Sequence, residues 1–130
     1  MEIAQRRLPL PPFVTALRGR AFRDSQNLVA STCMVGFFGY FAGDKRVVDR
    51  CALSDPFLAR IPYRQTLGFR PGHFTRAPPT GYLDSIVTGH NVIADRALAK
   101  LYDEVQLVVS GPLFTQERWH AIWCLNLGGC

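Results

Sequence analysis

Residues 25–43 constrain the fold most, because these nineteen residues carry no charge and are largely apolar. A helix of that length could cross a bilayer. Five polar residues and three glycines lower the apolar density below that of a membrane span, so a buried segment is favoured. Residues 28–38 are apolar without alternation, which is typical of a strand covered on both faces. Gly36 and Gly39 predict the turn that ends this strand.

The residues that follow predict an α/β fold with a small, partly parallel sheet. Residues 46–49 read as a short second strand around Val47 and Val48. In the following Ser-Asp-Pro sequence, Ser54 is the predicted N-cap of a short helix, with Pro56 in its first turn. A succession of strand, glycine turn, strand and helix is typical of α/β proteins.

The last third of the chain is predicted to be helical. The boundaries come from glycines after the helices and from capping side chains before them. Three helices are expected: from Tyr82 to Gly89, from the N-cap Asp95 to Gly111, and from the N-cap Thr115 to about Gly128. On the third helix, Trp119 and Trp123 lie one turn apart, and we expect them in the core, with a sugar-stacking platform as the alternative.

The domain organisation is simple. Residues 1–24 form an N-terminal segment rich in Pro and Arg, with a short helix expected over residues 14–22. Residues 25–130 are long enough for a single α/β domain. Within that domain, residues 64–79 are rich in turn formers and cations and predict a long irregular surface loop of the kind that is often functional.

The charge is positive, at +5, and thirteen of the fifteen basic residues are Arg. The excess lies in residues 1–84, with twelve basic and six acidic residues, whereas residues 85–130 have three and four. A basic half can serve nucleic acid, anionic lipid or a phosphate-bearing substrate. The arginines are scattered and form no run of like charge, so a small basic nucleic-acid-binding protein is only the alternative hypothesis.

Motifs for catalysis, metals and cofactors are missing from the sequence. It contains no nucleophile elbow, phosphate loop, dinucleotide fingerprint or HExxH pattern, so no catalytic residue, metal or cofactor is predicted. The four cysteines lack zinc-ribbon and redox spacing, and three disulfide pairings stay open. Cys33 is read as a small buried hydrophobe, and Cys51 is a weak nucleophile candidate because Arg50 precedes it.

Polar residues near the second strand are the candidate binding groups. Asp49 closes that strand, where a sheet would expose its carboxylate at the carboxyl edge, although an ion pair or a turn cap is the competing role. His73 lies in the cationic loop between Arg70 and Arg76, where it could contact a ligand or cap a turn.

The order of the motifs resembles that of a known family. VGFFGYFAG and RVVDRCALSDPFLARIP are followed by FRPGHF, PPTGYLDSIVTGHNVIAD and GPLFTQERWHAIWCLN, over about residues 29–126. This order resembles the C-terminal extracytoplasmic domain of GT-C-type membrane glycosyltransferases that use polyprenyl-phosphate sugars. The likeness is greatest to the terminal arabinofuranosyltransferase-like proteins.

The resemblance implies an accessory domain or fragment that works beside the membrane-embedded portion of such an enzyme in cell-envelope polysaccharide synthesis. It implies a place at the extracytoplasmic face of the bacterial inner membrane and a glycan or polyprenyl-phosphate sugar as ligand. The family's catalytic carboxylate lies on an early loop beside the first membrane helix, so this chain is expected to be inactive alone. A non-functional truncated fragment is an alternative. The candidate ligand-binding residues are Tyr40, Asp49, Arg50, Arg70, His73, Arg76 and Tyr82.

Overall fold

The structure, a computed structural model, describes residues 13–63 and 73–128 and has a mixed α/β fold. The predicted class, a small parallel sheet with a helical C-terminal third, is confirmed. In chain order the elements are α1 (Val14–Asp24), β1 (Val29–Thr32), α2 (Val35–Ala42), β2 (Arg46–Asp49), a 3-10 turn (Leu58–Arg60), α3 (Tyr82–Thr88), α4 (Arg96–Ser110) and α5 (Gln116–Leu127).

The two strands pair in parallel, with Val29 opposite Arg46 and Thr32 opposite Asp49. The second strand has the predicted bounds. The first is shorter than predicted, because residues 28–38 do not form one strand: β1 ends at Thr32 and α2 begins at Val35. Gly36 and Gly39 therefore lie inside a helix, and the predicted glycine turn is wrong.

Helix α2 forms because its apolar residues recur at helical spacing. Phe38 is half-buried, and Phe41 and Ala42, three and four positions later, are buried. This spacing places all three residues on the inward side of the helix. Gly43 follows α2 with a φ of 67°, a conformation that ends the helix at little steric cost. A short apolar run does not distinguish a buried strand from a buried helix, which explains the wrong prediction.

Helix α1 packs against α2 through a close backbone approach. Gly19 lies against the main chain of Phe38, and a Cβ at Gly19 would overlap the Phe38 carbonyl oxygen. Ala16 is fully buried beside it, and the rings of Phe22 and Phe38 are stacked 5.7 Å apart. The helix expected over residues 14–22 is present as α1. In the two ranges that the structure describes, no helix is long and apolar enough to span a bilayer.

An aromatic cluster forms the centre of the core. The rings of Phe57, Tyr82 and Tyr102 lie 4.8 to 5.7 Å apart, so they join the 3-10 turn, α3 and α4. The 3-10 turn is capped by Asp55, whose Oδ1 accepts the N–H groups of Phe57 and Leu58. Ser54 is thus not the cap that the sequence predicted.

The three C-terminal helices have the predicted boundaries. Asp95 Oδ1 accepts the Leu98 N–H at the start of α4, and Thr115 Oγ1 accepts the Arg118 N–H at the start of α5. Gly89 and Gly128 follow α3 and α5 in the left-handed conformation.

The two tryptophans are the exception among these helical predictions. Trp119 is 59% exposed and Trp123 is 62% exposed, so the expectation that they belong to the core is wrong. Helix α5 buries Ala121 instead. Two aromatic residues one turn apart lie on the same face of a helix, but this spacing does not show whether that face is buried in the core or exposed to solvent.

Candidate functional site

The carboxyl end of β2 is organised by Asp49, which is buried rather than exposed. Its Oδ1 accepts the Cys51 N–H at 2.9 Å, and its Oδ2 accepts the N–H groups of Leu53 and Ser54 at 3.0 Å. The Ser54 hydroxyl donates a further bond to Oδ2. The side chain is only 1% exposed. The prediction of an exposed carboxylate is therefore wrong and the competing role as a turn cap is the one observed, because Asp49 satisfies the backbone donors of the turn that follows β2.

A disulfide joins Cys33 and Cys51, which follow the ends of the two neighbouring strands. Their Cα atoms are 4.9 Å apart, within the range for such a bridge. The bridge removes Cys51 as a candidate nucleophile. It also shows that Cys33 is a bridge cysteine and not the isolated small hydrophobe that the sequence suggested.

Among residues 13–63 and 73–128, one group of three side chains has its potential ligand atoms close enough together to hold a metal ion. The atoms of Cys33, Asp49 and Cys51 lie within 4.8 Å of one another. Both sulfurs are used in the bridge, and Asp49 already accepts four hydrogen bonds. The group therefore offers no thiolate and a single carboxylate, which is fewer than the three or four protein ligands of zinc sites.

Arg76 crosses the end of β2 and is fixed there by main-chain carbonyls. Its backbone N–H donates to the Arg50 carbonyl at 2.7 Å. Its Nη1 donates to the carbonyl oxygens of Cys51 at 3.2 Å and Phe74 at 2.6 Å, and its Nε makes a long 3.5 Å bond to that of Ile61. These bonds orient the guanidinium without neutralising its charge.

Two aromatic rings lie beside this guanidinium, and a histidine lies at the same end of β2. The rings of Tyr63 and Phe74 meet edge to face at 4.8 Å, and the Arg76 guanidinium carbon lies 5.9 and 6.0 Å from their centres. His73 Nδ1 lies 3.7 Å from Cys51 Sγ. Tyr63 is half exposed, and the side chains of Arg50 and His73 are exposed. We call Arg50, Tyr63, His73, Phe74 and Arg76 the Arg76 site.

The electrostatics of the Arg76 site favour an anion. Among residues 13–63 and 73–128, the ion pairs are Arg23–Asp24 and Lys100–Glu104, so no described carboxylate neutralises Arg76. Its Nη2 has no hydrogen-bond partner among those residues, whereas Nε and Nη1 do. A guanidinium of this kind can donate Nη2–H groups to phosphate or hydroxyl oxygens, and a half-exposed tyrosine ring can contact a sugar face.

The structure brings only some of the predicted ligand-binding residues together. At the end of β2, Arg50 and Arg76 are bonded through their main chains, and His73 lies against Cys51, the residue after Arg50. Asp49 is buried in the same turn as a structural carboxylate. Tyr40 lies on α2, 41% exposed, with its ring against that of Phe41. Arg70 lies outside the described residues, as does most of the predicted loop, whose described part, residues 73–79, has no helix or strand.

Tyr82 is not available as a sugar-stacking residue, because it is only 4% exposed. Its hydroxyl donates to Asp55 Oδ2 at 2.8 Å. Burial, together with this bond and the charge of Asp55, raises the pKa of Tyr82 far above its ordinary value. Burial, together with the charge of Asp103, also raises the pKa of the neighbouring Tyr102.

Sequence reasoning missed Tyr63 and Phe74 as site residues. The available signal was the placing of an aromatic residue at each end of the cationic stretch, next to Pro62 and His73. No family model, curated protein or solved structure matches the chain. The function proposed below therefore depends on the geometry of the Arg76 site and on the motif order.

Proposed function

We propose that this chain is an accessory domain of a membrane glycosyltransferase and contacts a phosphate-bearing sugar at the Arg76 site. The observation that carries the proposal is a guanidinium oriented by three carbonyl groups, left without a described acidic partner and placed beside the half-exposed ring of Tyr63. The ligand class is a glycan or a polyprenyl-phosphate sugar, as the motif order suggests.

The chemistry of the Arg76 site suits such a ligand at both of its ends. The phosphate would receive charge-assisted hydrogen bonds from Arg76 Nη2 and from the exposed Arg50, and the exposed His73 imidazole offers a further hydrogen-bonding group. The sugar would lie against Tyr63, whose ring is already held by Phe74 and the Arg76 guanidinium. Because the Arg76 guanidinium and the Tyr63 ring are held before a ligand arrives, these two side chains lose little entropy on binding.

The disulfide supports an extracytoplasmic place for this domain. Disulfides persist in oxidising compartments and are rare in the cytosol of most organisms. Cys33–Cys51 joins the segments that follow the two strands, and Cys51 Sγ lies 3.7 Å from His73 Nδ1 of the Arg76 site. The proposal assigns a binding role to this chain and the transfer reaction to the membrane-embedded portion of the enzyme, its expected partner.

Titration calorimetry with a short isoprenyl phosphate sugar, an arabinose oligosaccharide and inorganic phosphate tests the ligand class. Tyr63→Ala should weaken binding of the isoprenyl phosphate sugar and the oligosaccharide, and Arg50→Gln should weaken the phosphate ligands by about tenfold. Arg96→Gln on α4 removes the same charge from an exposed position on another element and should leave the affinity unchanged. Titration with a short DNA duplex is the control for non-specific attraction of a polyanion to the arginines.

Two results would contradict the proposal. One is equal weakening by Arg50→Gln and by the control Arg96→Gln, which would show that net charge alone governs binding. The other is a DNA duplex that binds more tightly than every sugar or phosphate ligand and loses affinity steeply with salt, which would favour the nucleic-acid alternative.

A further inference from the structure

Helices α1 and α2 expose apolar side chains beside the close contact that Gly19 makes with Phe38. Phe13, Val14 and Leu17 at the start of α1, and Phe37 and Tyr40 on α2, are each between 41% and 61% exposed. We call these five residues the α1–α2 apolar face. Large apolar residues exposed singly are ordinary, whereas a contiguous set marks a surface that contacts a partner or a membrane.

The face is contiguous because aromatic stacking joins the two helices. The rings of Phe13 and Phe37 are stacked, with centres 5.2 Å apart. Leu17 lies one turn after Phe13, and Tyr40 lies one turn after Phe37, so each extends the face along its own helix. The inward side of α1 is already occupied by Gly19 and Ala16, so the face cannot turn inward without breaking the helix contact.

Arginines flank the apolar residues on both sides of α1. Val14, Leu17 and Ala21 follow one another on the outward side at a spacing of three and four residues. By the same helical geometry, Arg18 projects to one side of that line and Arg20 to the other, and both side chains are exposed. The one acidic residue of α1, Asp24, is hydrogen-bonded to Arg23. The face therefore combines an apolar centre with uncompensated positive charge.

We infer that the α1–α2 apolar face docks on a lipid surface that carries anionic headgroups. An apolar strip between cations matches the boundary between acyl chains and phosphates, where apolar side chains enter the membrane and arginines remain at headgroup depth. The exposed strip on α5, formed by Trp119, Trp123 and Leu127, differs in having Glu117 in its first turn. Arg118, the cation next to it, is bonded to the Gly111 carbonyl.

This inference concerns a different face from the Arg76 site and is tested without a sugar ligand. The full chain is floated with vesicles of phosphatidylcholine alone, or of phosphatidylcholine mixed with phosphatidylglycerol. We expect binding to the anionic vesicles and much weaker binding to the neutral ones. The double variant R18Q/R20Q should weaken binding to anionic vesicles by about thirtyfold, because each of the two arginines near an anionic membrane surface adds about equally to the free energy of binding.

Apolar variants separate docking from simple charge attraction. L17S/F37S should weaken binding to anionic vesicles at high salt, whereas W119S/W123S on α5 should leave it unchanged. All variants are first compared by circular dichroism, because a loss of helix would mimic a loss of binding. As a second measurement, the tryptophan fluorescence of a Phe37→Trp variant in a W119F/W123F background should shift to the blue with anionic vesicles.

Three outcomes would overturn the inference: no vesicle binding at low salt, equal binding to neutral and anionic vesicles, or loss of binding only in the α5 variant. Fluorescence of the Phe37→Trp variant that does not change when vesicles are bound would also overturn it. If the chain does not bind vesicles but binds ligand at the Arg76 site, only the membrane inference is rejected. If it binds vesicles but no ligand, only the proposed function is rejected.

Discussion

Tyr82 and Asp55 are joined by a buried hydrogen bond of 2.8 Å, which links α3 to the turn that follows the sheet. The same Asp55 carboxylate accepts two backbone N–H groups through its other oxygen. Asp55 is 8% exposed and Tyr82 is 4% exposed, so neither group could exchange this partner for water without a local opening. The bond fixes the start of α3 against the 3-10 turn.

Replacing Tyr82 by Phe should destabilise the fold and change its response to alkaline pH. The substitution leaves Asp55 Oδ2 without its donor, which costs about 1–3 kcal/mol in the free energy of unfolding near neutral pH. Urea unfolding followed by circular dichroism measures this cost. Tyr40→Phe, at an exposed position, is the matched control and should lie within about 0.5 kcal/mol of the wild type.

The sign of the pH effect follows from the raised pKa of Tyr82. An unfolded chain releases the tyrosine proton near its ordinary pKa of about 10, whereas the folded protein retains it. The contribution of Tyr82 to stability is therefore complete below about pH 10 and is lost as the pH rises above that value. Tyr82→Phe should reduce the alkaline loss of stability, and an unchanged alkaline slope would contradict the account. A smaller slope should remain from Tyr102, whose pKa is also raised.

Replacing Asp49 should destabilise the turn after β2. Asp49→Ala leaves three backbone donors and the Ser54 hydroxyl without their acceptor, at a cost of about 3 kcal/mol or more. Asp49→Asn can keep the three bonds to its oxygen but turns an amide donor toward the Cys51 N–H, so a smaller loss is expected. The exposed Asp44→Asn is the control. Equal stability of Asp49→Ala and the wild type would show that this carboxylate is not the organising group.

The helix contact between α1 and α2 predicts opposite effects for two glycines. Gly19→Ala places a Cβ against the Phe38 carbonyl oxygen and should destabilise the protein by about 1–3 kcal/mol. Gly39→Ala meets nothing within 4 Å and should stabilise α2 by about 0.5–1 kcal/mol, because alanine is the better helix former. Thermal unfolding of both variants measures the difference. A stabilised Gly19→Ala variant would mean that the two helices do not approach in this way.

Sequence reasoning succeeded where a local signal determines the structure. Asp95 and Thr115 cap the helices that their positions predicted, and Gly89 and Gly128 adopt the left-handed conformation after the helices that they end. Each of these features depends on hydrogen bonds within a few residues. The second strand was equally readable, because its short apolar pair is bounded by polar residues.

The wrong predictions concern residues whose structure is determined by contacts with distant parts of the chain. The place of Asp49 at the end of β2 is compatible with an exposed carboxylate or with a turn cap. The turn after β2 folds over the carboxylate and decides for the cap, and no local pattern reports that burial. Gly36 predicts the turn after a strand, whereas it lies in α2, and the packing of that helix against α1 is a contact that no local pattern reports. Tyr63 and Phe74 are distant in sequence, and their rings meet only because the segment leading to Arg76 crosses the end of β2.

The most direct test of the central claim is chemical-shift mapping of the labelled, oxidised chain during titration with a short isoprenyl phosphate sugar. The account predicts shifts concentrated at the backbone amides of Arg50, His73 and Arg76 and at the ring of Tyr63, with α4 and α5 unchanged. Absence of shifts in these residues at millimolar ligand, or shifts spread evenly over the exposed arginines, would contradict it.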